Sequence, residues 1–572
     1  MSGLQKLKEG KIKIDDETKK NIIRIIFFII LSFCYLIFFF NTQRQPIIKA
    51  DIDGQFNFSR VMSLENIWKS PVNFKYFQHN ASAVNLMYPW ATVYPMYLLI
   101  KLTGSIVGGY YIYFFLITFA TLEITYQCVK KMGQSSLPSI FASVVYAFAI
   151  CRTSDIYYRV DIGEVISMTF FPIVLLGIYQ IFYKEKPNWK TLVVGMTFLV
   201  YTHVLSLAIA SLLVLFFICV SLVRKQFTKE RFKALLKSVG MTILLGLGFL
   251  VPMIQTMLNG KVNGPGTMNL YTCSLIPRQL LDWSLNNAAD SRDVFNPVFL
   301  VLILVIVLNL KKIKGFYKDV LFAATFFTFI STSLFPWDVF QKMFGLLQFP
   351  WRFITMASLL FPVAASELVK SYQLNHSINK SVKAFGLLIL GVVFTHWGAM
   401  TGVNQIDGYN VGSNSHYYLS QITHKADFNG LGDYYPASSN GDAGHISDQK
   451  MCVNQEWVHV KQKMVDSTER TFKYNSKSET TAILPVYVFP GEKVTVNGVK
   501  QATQIASADG ATQVSLVDGM NNIKIKYGYT FLARISWIVS LIAFFIFCWG
   551  IFQQNRGKYK SGVSGYEYKK EN

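Results

Sequence analysis

The segment that decides the fold lies near the start of the chain: residues 22–40 read IIRIIFFIILSFCYLIFFF, with Arg24 as the only charged side chain. About 20 apolar residues in a helix are enough to cross the hydrocarbon core of a membrane. The segment follows six lysines within the first 20 residues, and no small-residue cleavage site comes after it. This pattern predicts an uncleaved membrane anchor with its N-terminus in the cytoplasm.

The composition extends this interpretation to the whole chain. Of the 572 residues, 52% are hydrophobic and only 15% are charged, and the formal net charge is +22. These values exclude a soluble enzyme and a disordered chain. The seven cysteines are scattered and form no CxxC metal motif. Cys273 and Cys452 lie in polar segments predicted on the same side, where they form either a disulfide or two free thiols.

Further apolar segments follow the first and give a total of about twelve transmembrane helices. They are residues 107–127, 137–151, 165–182, 191–205, 206–223, 235–256, 296–310, 320–336, 353–369, 384–402 and 531–552. Lys and Arg cluster in alternate connecting loops and in the C-terminal tail, as is typical of cytoplasmic segments. Residues 191–223 lie between two basic loops and must therefore cross twice, with a turn at Thr202 and His203. Both termini are predicted in the cytoplasm.

The long polar segments between these spans are predicted outside the cell. Residues 41–106 form one external loop, in which residues 91–102 are predicted as an amphipathic helix on the membrane surface. Residues 453–528 alternate apolar and polar side chains between glycine-containing turns, which predicts a small antiparallel β-sandwich. The predicted organisation is a membrane domain at 1–402, an extracytoplasmic β-rich domain at 403–529, and a final span with a basic tail at 530–572.

The first external loop opens with a pair of carboxylates. Asp51 and Asp53 follow the first span and are separated by one residue. Two carboxylates at this spacing can bind a divalent cation through oxygen ligands, or one of them can act as a general base on a sugar hydroxyl. The same residues also fit an ordinary solvated loop, because Asp and Gly are favoured in turns.

Charged residues also stand at the ends of later apolar helices. Arg159 and Glu164 precede or open the fourth span, and Trp351 and Arg352 open the tenth. Charges at the edge of a membrane-embedded core are costly unless they are paired. Arg352 suits a phosphate because its planar guanidinium donates two parallel hydrogen bonds, although it could equally extend to lipid headgroups. Glu164 fits a catalytic role or a structural ion pair with Arg159, and His203 fits a phosphate donor or a helix end.

Ten short motifs carry a resemblance to a known group. They are Asp53–Arg60 (DGQFNFSR), Tyr88-Pro89-Trp90, Tyr94-Pro95, Arg159–Glu164, Thr202-His203, Gln348–Phe353, Asp433–Pro436, Leu484-Pro485, Pro490-Gly491 and Asn497-Gly498. In this order, over nearly the full length, they resemble the GT-C class of membrane glycosyltransferases. The closer likeness is to the bacterial YfhO-like proteins and to the integral membrane family called 6-pyruvoyl-tetrahydropterin synthase-related, a name that does not imply pterin chemistry. Relatives often have a histidine in the aromatic stretch where this chain has Asn57.

The resemblance implies transfer of a sugar from a polyprenyl-phosphate donor in the lipid bilayer to a cell-envelope glycan on the outer face of a bacterial plasma membrane. The implied catalytic residues are Asp53 and Asp51, and the implied ligands of the donor phosphate are Arg352, Arg159, Arg60 and His203, supported by Glu164, Tyr88 and Trp351. A base and a leaving-group clamp suffice for a single displacement that inverts the anomeric centre. No organic cofactor is required, and a divalent cation at Asp51 and Asp53 is the candidate metal.

Functions of other classes fit the sequence less well. A non-catalytic transporter or assembly scaffold for lipid-linked glycans would use the same cavity, but interrupted helices in paired halves, which favour transport, are not evident in the sequence. A channel would need rings of polar residues, and the spans are uniformly apolar. Cytoplasmic loops and their attraction to anionic lipid account for the positive charge, so no nucleic-acid partner is predicted.

Overall fold

The structure is a computed structural model that describes residues 15–37, 48, 52–259, 262–289, 292–405, 433–439, 446, 448–505 and 510–567. Its helices, numbered in chain order, are α1 (Asp16–Ile37), α2 (Ile52–Met62), α3 (Val84–Met87), α4 (Tyr94–Thr103), α5 (Ile106–Lys131), α6 (Ser136–Ala147), α7 (Ile150–Tyr157), α8 (Ile162–Phe182), α9 (Lys190–Val200), α10 (Val204–Val223), α11 (Lys229–Asn259), α12 (Pro277–Leu285), α13 (Pro297–Leu308), α14 (Gly315–Ile330), α15 (Trp337–Phe344), α16 (Phe353–Asn375), α17 (Ile378–Gln405) and α18 (Phe531–Glu567).

The predicted polytopic membrane fold is confirmed. Each predicted span falls on a helix, and eight helices within the described ranges are long and apolar enough to cross a membrane. Helices α6 and α7 meet at a 41° bend and make a ninth candidate span if they are counted together. Helices α9 and α13 are shorter apolar helices, and α14 has 16 residues. The helix predicted at residues 91–102 is present as α4, and its position on the membrane surface stays a prediction.

The β-rich region follows the predicted alternation of side chains. Its strands are β1 (Lys450–Val453), β2 (Glu456–His459), β3 (Lys461–Asp466), β4 (Glu469–Ser476), β5 (Thr480–Tyr487), β6 (Glu492–Val496), β7 (Val499–Gln501), β8 (Gln504–Ile505), β9 (Ala511–Leu516) and β10 (Gly519–Tyr527). They form two five-stranded antiparallel sheets with the strand orders β2-β1-β5-β9-β8 and β3-β4-β10-β6-β7. Alternate side chains of β10 are buried, which is the pattern of a sheet with one face packed on a core.

The segment between α2 and α4 joins the helical body to the sheets. Val72 and Phe74 are fully buried in the core of the β-rich region, together with Ile523 and Ile525 of β10. The backbone N–H of Phe74 donates to the carbonyl of Ser467 over 2.7 Å. This segment therefore holds α2, and with it Asp53, between the β-sheets and the ends of the membrane-spanning helices.

The predicted side of this segment can be tested by cysteine labelling. Lys69 is exposed, whereas the neighbouring Ser70 is only 2% exposed. In a background without the native cysteines, a Lys69→Cys protein in intact cells is expected to react with a membrane-impermeant maleimide. A Glu185→Cys protein, altered in a predicted cytoplasmic loop with an exposed side chain, is the matched control and should react only after the membrane is opened. Protection of Lys69→Cys in intact cells would overturn the predicted threading.

Candidate active site

A strained turn between α7 and α8 forms the centre of the site. Val160 has a φ of +57°, which is rare for a β-branched residue and costs on the order of 1–3 kcal/mol. Its neighbours Arg159 and Asp161 approach each other, with Arg159 Nη2 at 3.4 Å from Asp161 Oδ2. Asp161 caps α8, because its Oδ1 accepts a hydrogen bond from the Glu164 N–H over 3.2 Å. Strain of this kind is typical of functional sites.

Arg159 is surrounded by carboxylates. Its guanidinium pairs with Asp155 of α7, lies 3.5 Å from Glu164 Oε2, and lies 3.7 Å from Asp293 Oδ1 in the segment before α13. With Asp161, four acids surround this one base, and every one of the five side chains is at most 10% exposed. The charge of Arg159 is therefore fully engaged by the protein.

Arg352 reaches the same cluster from the start of α16. Its Nε lies 3.4 Å from Glu164 Oε2, and its Nη1 donates to the carbonyl of Leu347 over 3.1 Å. Its Nη2 is 3.8 Å from Asp161 Oδ2 and has no hydrogen bond to any described residue. The side chain is 8% exposed, so it is buried in the site and does not extend to headgroups. Arg352 thus has a donor available to a ligand.

Aromatic rings support both arginines. The guanidinium of Arg159 lies 4.4 Å from the ring centroid of Trp351, and that of Arg352 lies 5.1 Å from Phe349 and 5.8 Å from Trp351. Cation–π contacts of this length favour a fixed orientation of the guanidinium plane. Trp351 therefore acts as a support between the two arginines and is itself 3% exposed.

A third arginine approaches from α2. Arg60 is fully buried, lies 3.7 Å from the ring centroid of Tyr88, and donates to the carbonyl of Pro89. It has no ion pair with any described residue, and its Nε has no hydrogen-bond acceptor there. Tyr88 stacks on His203 with ring centroids 5.5 Å apart. A side chain at Gly163 would meet the hydroxyl of Tyr88 at 2.9 Å, so α8 packs directly on this stack.

Asp53 lies at the open side of the site, in the first turn of α2. Its side chain is exposed, and the amide of Asn57 donates to its backbone carbonyl over 3.0 Å. Surrounding protein raises the pKa of Asp53 through burial, while the charges of Arg159 and Arg352 act against that rise. The charges of the predicted guanidinium groups, Arg159 and Arg352, therefore act on the predicted acid, Asp53.

Asp433 is a second acid at this opening. Burial, and then the charge of Asp53, raises the pKa of Asp433 to about 6. The next residue, Tyr434, has its ring centroid 6.4 Å from that of Phe56 in α2.

Burial would also raise the pKa of Asp161, but His203, Arg159 and Arg352 hold that pKa at about 2. The site therefore contains an ionised acid, Asp161, beside two acids that titrate at higher pH.

The buried acids also form a group that could hold a cation. Oxygens of Asp155, Glu164 and Asp293 lie within 4.8 Å of one another. Both carboxylate oxygens of Glu164 and Asp293 and one oxygen of Asp155 are buried without a hydrogen bond to the described residues. Among the groups joined by ion pairs, four ionised acids against Arg159 and Arg352 would leave a buried excess of two negative charges. Such an excess is costly and requires either a cation or protons.

The structure brings together most residues predicted from the sequence. These residues form one linked set, in which each member either contacts another member or is influenced by its charge. The set consists of Asp53, Arg60, Tyr88, Arg159, Glu164, His203, Trp351 and Arg352. Asp51 lies outside the described residues, so its pairing with Asp53 as a base or metal ligand stays a prediction. For Cys273 and Cys452, which the sequence left open between a disulfide and two thiols, no disulfide bond is formed among the described residues.

Four acids of the site were not predicted. Asp161 and Asp433 lie within the motifs Arg159–Glu164 and Asp433–Pro436, but nothing in the sequence marked their carboxylates as site residues. Asp155 reaches Arg159 through the i,i+4 spacing of one helical turn, a local signal that the sequence offered. Asp293 lies in a long segment without a motif, and only the fold brings it to Arg159.

Comparison with protein families identifies the chain. Residues 90–402, more than half of the sequence, match the family model described as 6-pyruvoyl-tetrahydropterin synthase related domain, membrane protein. The chain belongs to this family. The predicted membership is therefore confirmed, and the matched residues of this 6-pyruvoyl-tetrahydropterin synthase-related protein include Arg159, Glu164, His203 and Arg352, whereas Asp53 and Asp433 lie outside the match.

Solved structures resemble this 6-pyruvoyl-tetrahydropterin synthase-related protein only distantly. ArnT from Cupriavidus metallidurans in the apo state is 10% identical, with 75% of this chain and 81% of ArnT aligned at a TM-score of 0.40. ArnT bound to undecaprenyl phosphate is also 10% identical, with coverages of 74% and 80% and a TM-score of 0.36. The apo oligosaccharyltransferase of Archaeoglobus fulgidus is 9% identical, with coverages of 68% and 56% and a TM-score of 0.37. No curated protein matches the sequence. TM-scores below 0.5 assign neither a reaction nor a ligand.

Proposed function

We propose that this protein transfers a sugar from a polyprenyl-phosphate donor to a cell-envelope glycan at the outer face of the membrane. The observation that carries the proposal is the buried Arg352, whose Nη2 has no hydrogen bond to the described residues, in a site whose charges also act on the exposed carboxylate of Asp53. An accessible carboxylate opposite a guanidinium is the pair that a displacement at a sugar phosphate needs. The apolar spans around this pair suit a donor held in the bilayer by its lipid tail.

Arg352 is the direct ligand of the donor phosphate. Its Nη2 is free to donate, Nη1 donates to the carbonyl of Leu347, and Nε lies 3.4 Å from Glu164 Oε2 without a hydrogen bond. Arg60 adds positive charge that no described carboxylate compensates, although its guanidinium is fully buried. Arg159 is occupied by four acids and therefore acts as a positioning residue that holds Asp161 and Trp351. The three arginines thus have different tasks.

The reaction is a single displacement. The acceptor hydroxyl gives its proton to Asp53, its oxygen forms a bond to the anomeric carbon, and the bond from that carbon to the phosphate oxygen breaks. The electron pair leaves with the phosphate, whose charge Arg352 stabilises. Attack opposite the leaving group inverts the anomeric centre.

A divalent cation bound by Asp155, Glu164 and Asp293 is part of the proposal. Three carboxylates are hard oxygen ligands of the kind that Mg²⁺, Mn²⁺ and Ca²⁺ prefer. A divalent charge would balance the buried excess of two negative charges described above. The triad is at most 1% exposed, so the cation would hold Arg159 and the turn at Val160 in place and would not touch the donor.

The cation can be tested through protein stability. Mg²⁺ or Mn²⁺ is expected to raise the Tm of the purified protein by about 3 °C or more relative to EDTA, because a ligand that binds only the folded state stabilises it. In the variant Asp155→Asn/Asp293→Asn, which removes two charges without changing size, this difference should disappear. Asp282→Asn, at an exposed carboxylate, is the control. An identical Tm with and without the metal in the native protein would show that protons balance the charge.

The proposed function itself is tested with the purified protein in nanodiscs. A radiolabelled polyprenyl-phosphate sugar and a cell-envelope glycan fraction are supplied, and label is expected to move to the glycan. Envelope glycans of cells that lack the protein should in parallel miss one sugar substituent. Binding of the donor without any transfer, together with unchanged glycans, would favour a non-catalytic carrier of lipid-linked glycans and would contradict the proposal.

A further inference from the structure

A cavity lies between the helical body and the β-rich region, next to the candidate active site. Its volume is about 610 Å³, within the range of about 300–1,000 Å³ that is typical of small-ligand pockets. One wall is formed by Thr256 and Asn259 at the end of α11 and by Val262 after it. The facing wall is the turn that precedes β6. The segment 436–438 closes the space between them.

This segment connects the cavity to the active site. Asp433 and Tyr434 face Asp53 and Phe56, whereas Pro436 and Ser438 line the cavity. Three residues of extended chain span about 10 Å at most, so the two sites are neighbours. A molecule longer than one sugar unit could therefore occupy both.

Backbone contacts fix the walls of the cavity before any ligand arrives. The N–H of Tyr434 donates to the carbonyl of Asn263 over 2.7 Å, and the N–H of Asn263 donates to the carbonyl of Tyr435 over 2.8 Å. Gly510 has a φ of +75°, and a side chain there would meet Pro436 at 2.6 Å. The segment therefore docks tightly on the sheets, and a preformed pocket loses less free energy on binding.

The chemistry of the lining indicates the class of ligand. Pro436 and Pro490 are half-buried and present apolar surfaces, and Asn259, Ser438 and Thr503 carry amide or hydroxyl groups. A sugar ring has the same combination of an apolar face and a rim of hydroxyls. None of the described lining residues is Lys or Arg, so the cavity offers no charge for a phosphate and differs from the site around Arg352.

Glu492 supplies the only charged group among the described lining residues. Its Oε1 accepts hydrogen bonds from Thr512 Oγ1 over 2.6 Å and from the hydroxyl of Tyr527 over 3.1 Å. The hydroxyl of Thr503, whose side chain is exposed, also interacts with this carboxyl group, and Oε2 itself is buried. Burial raises the pKa of Glu492 to about 7, so the carboxyl can either accept from or donate to a hydroxyl near neutral pH. An anionic occupant is disfavoured.

We propose that this cavity binds an uncharged sugar unit of the acceptor glycan and thereby presents the next hydroxyl of that glycan to Asp53. This inference rests on the proposed function, because it assigns the acceptor of the same reaction. The sugar unit packs its apolar face on Pro436 or Pro490 and exchanges hydrogen bonds with Asn259, Ser438 and Thr503. The cavity is a binding site and takes no part in the displacement itself.

The test measures sugar binding directly, with the full-length protein in nanodiscs. Saturation-transfer NMR is recorded with the methyl glycosides of glucose, galactose and N-acetylglucosamine. At least one glycoside is expected to receive saturation from the native protein. Ser438→Trp, which fills the cavity from an exposed position, and Asn259→Leu, from the opposite wall, should each lower that signal by about tenfold. Val499→Trp, on an exposed edge strand, is the control and should leave it unchanged.

A parallel measurement separates this inference from the proposed function. Binding of radiolabelled undecaprenyl phosphate is measured with the same proteins, and Ser438→Trp should retain it. If no glycoside is saturated, or if Ser438→Trp and Val499→Trp give equal signals, the cavity does not bind the acceptor, even where lipid phosphate binding persists. If glycoside binding depends on the cavity but no protein binds the lipid phosphate, the acceptor site stands and the donor proposal fails.

Discussion

Asp53→Asn is expected to reduce sugar transfer by about 10²–10⁴-fold, which is the usual contribution of a general base. The change removes the proton acceptor but keeps the size of the side chain, and Asp53 is exposed, so folding should not be affected. The backbone contact with Asn57 that shapes this turn of α2 uses the carbonyl and persists in the variant. The measurement is the initial rate of label transfer in nanodiscs at saturating donor.

The pH dependence provides a second readout for the same residue. A general base must be ionised, so the rate of the native protein should fall as the pH decreases through the pKa of Asp53. Because burial raises that pKa, the fall should begin above the ordinary range of an aspartate. Asp448→Asn, at an exposed carboxylate of the β-rich region, is the control and should keep both the rate and the pH profile. A full rate in Asp53→Asn would exclude Asp53 as the base.

The sequence was sufficient for the architecture because membrane crossing depends on length and hydropathy, which are local properties. Each predicted span coincides with a helix over most of its described residues, and the described residues of the period-two stretch 453–528 form two antiparallel sheets. The 41° bend between α6 and α7 was not predictable, since the apolar run ends there and the polar helix α7 has no hydropathy signal. Asp155 meets Arg159 through local i,i+4 spacing, whereas Asp293 meets it only through the tertiary fold.

The site was predictable where a charge interrupts an apolar run. Arg159, Glu164 and Arg352 stand out in sequence because a lipid-facing charge is costly, and the structure buries all three in mutual contact. Asp293 does not stand out, because an aspartate in a polar loop is ordinary until the fold buries it completely. Charge balance is a property of the assembled cluster, so neither the excess of acids nor the cation group at Asp155, Glu164 and Asp293 could be derived from the sequence.

Arg352→Lys is expected to raise the KM for the polyprenyl-phosphate donor by about 10- to 100-fold. The guanidinium holds three positions at once, with Nη1 on the Leu347 carbonyl, Nε beside Glu164 and Nη2 open to the donor. An ammonium keeps the charge but cannot occupy these positions together. A hydrogen bond to a charged group contributes about 1.5–3 kcal/mol, and 1.4 kcal/mol is a factor of ten. Arg278→Lys, at an arginine with an 89% exposed side chain, is the matched control.

The two substitutions are expected to affect different parameters, and this difference locates each residue. Asp53 acts on the acceptor hydroxyl, so Asp53→Asn should lower kcat and leave donor binding unchanged. Arg352 binds the phosphate in the ground state and stabilises it as it departs, so Arg352→Lys should raise the donor KM and also lower kcat. In the double variant the two losses in kcat should approximately multiply, because the two residues contribute separately to one transition state. An unchanged donor KM in Arg352→Lys would instead make Arg352 a structural partner of Glu164, and a double variant only as slow as the slower single variant would place the two residues in separate steps.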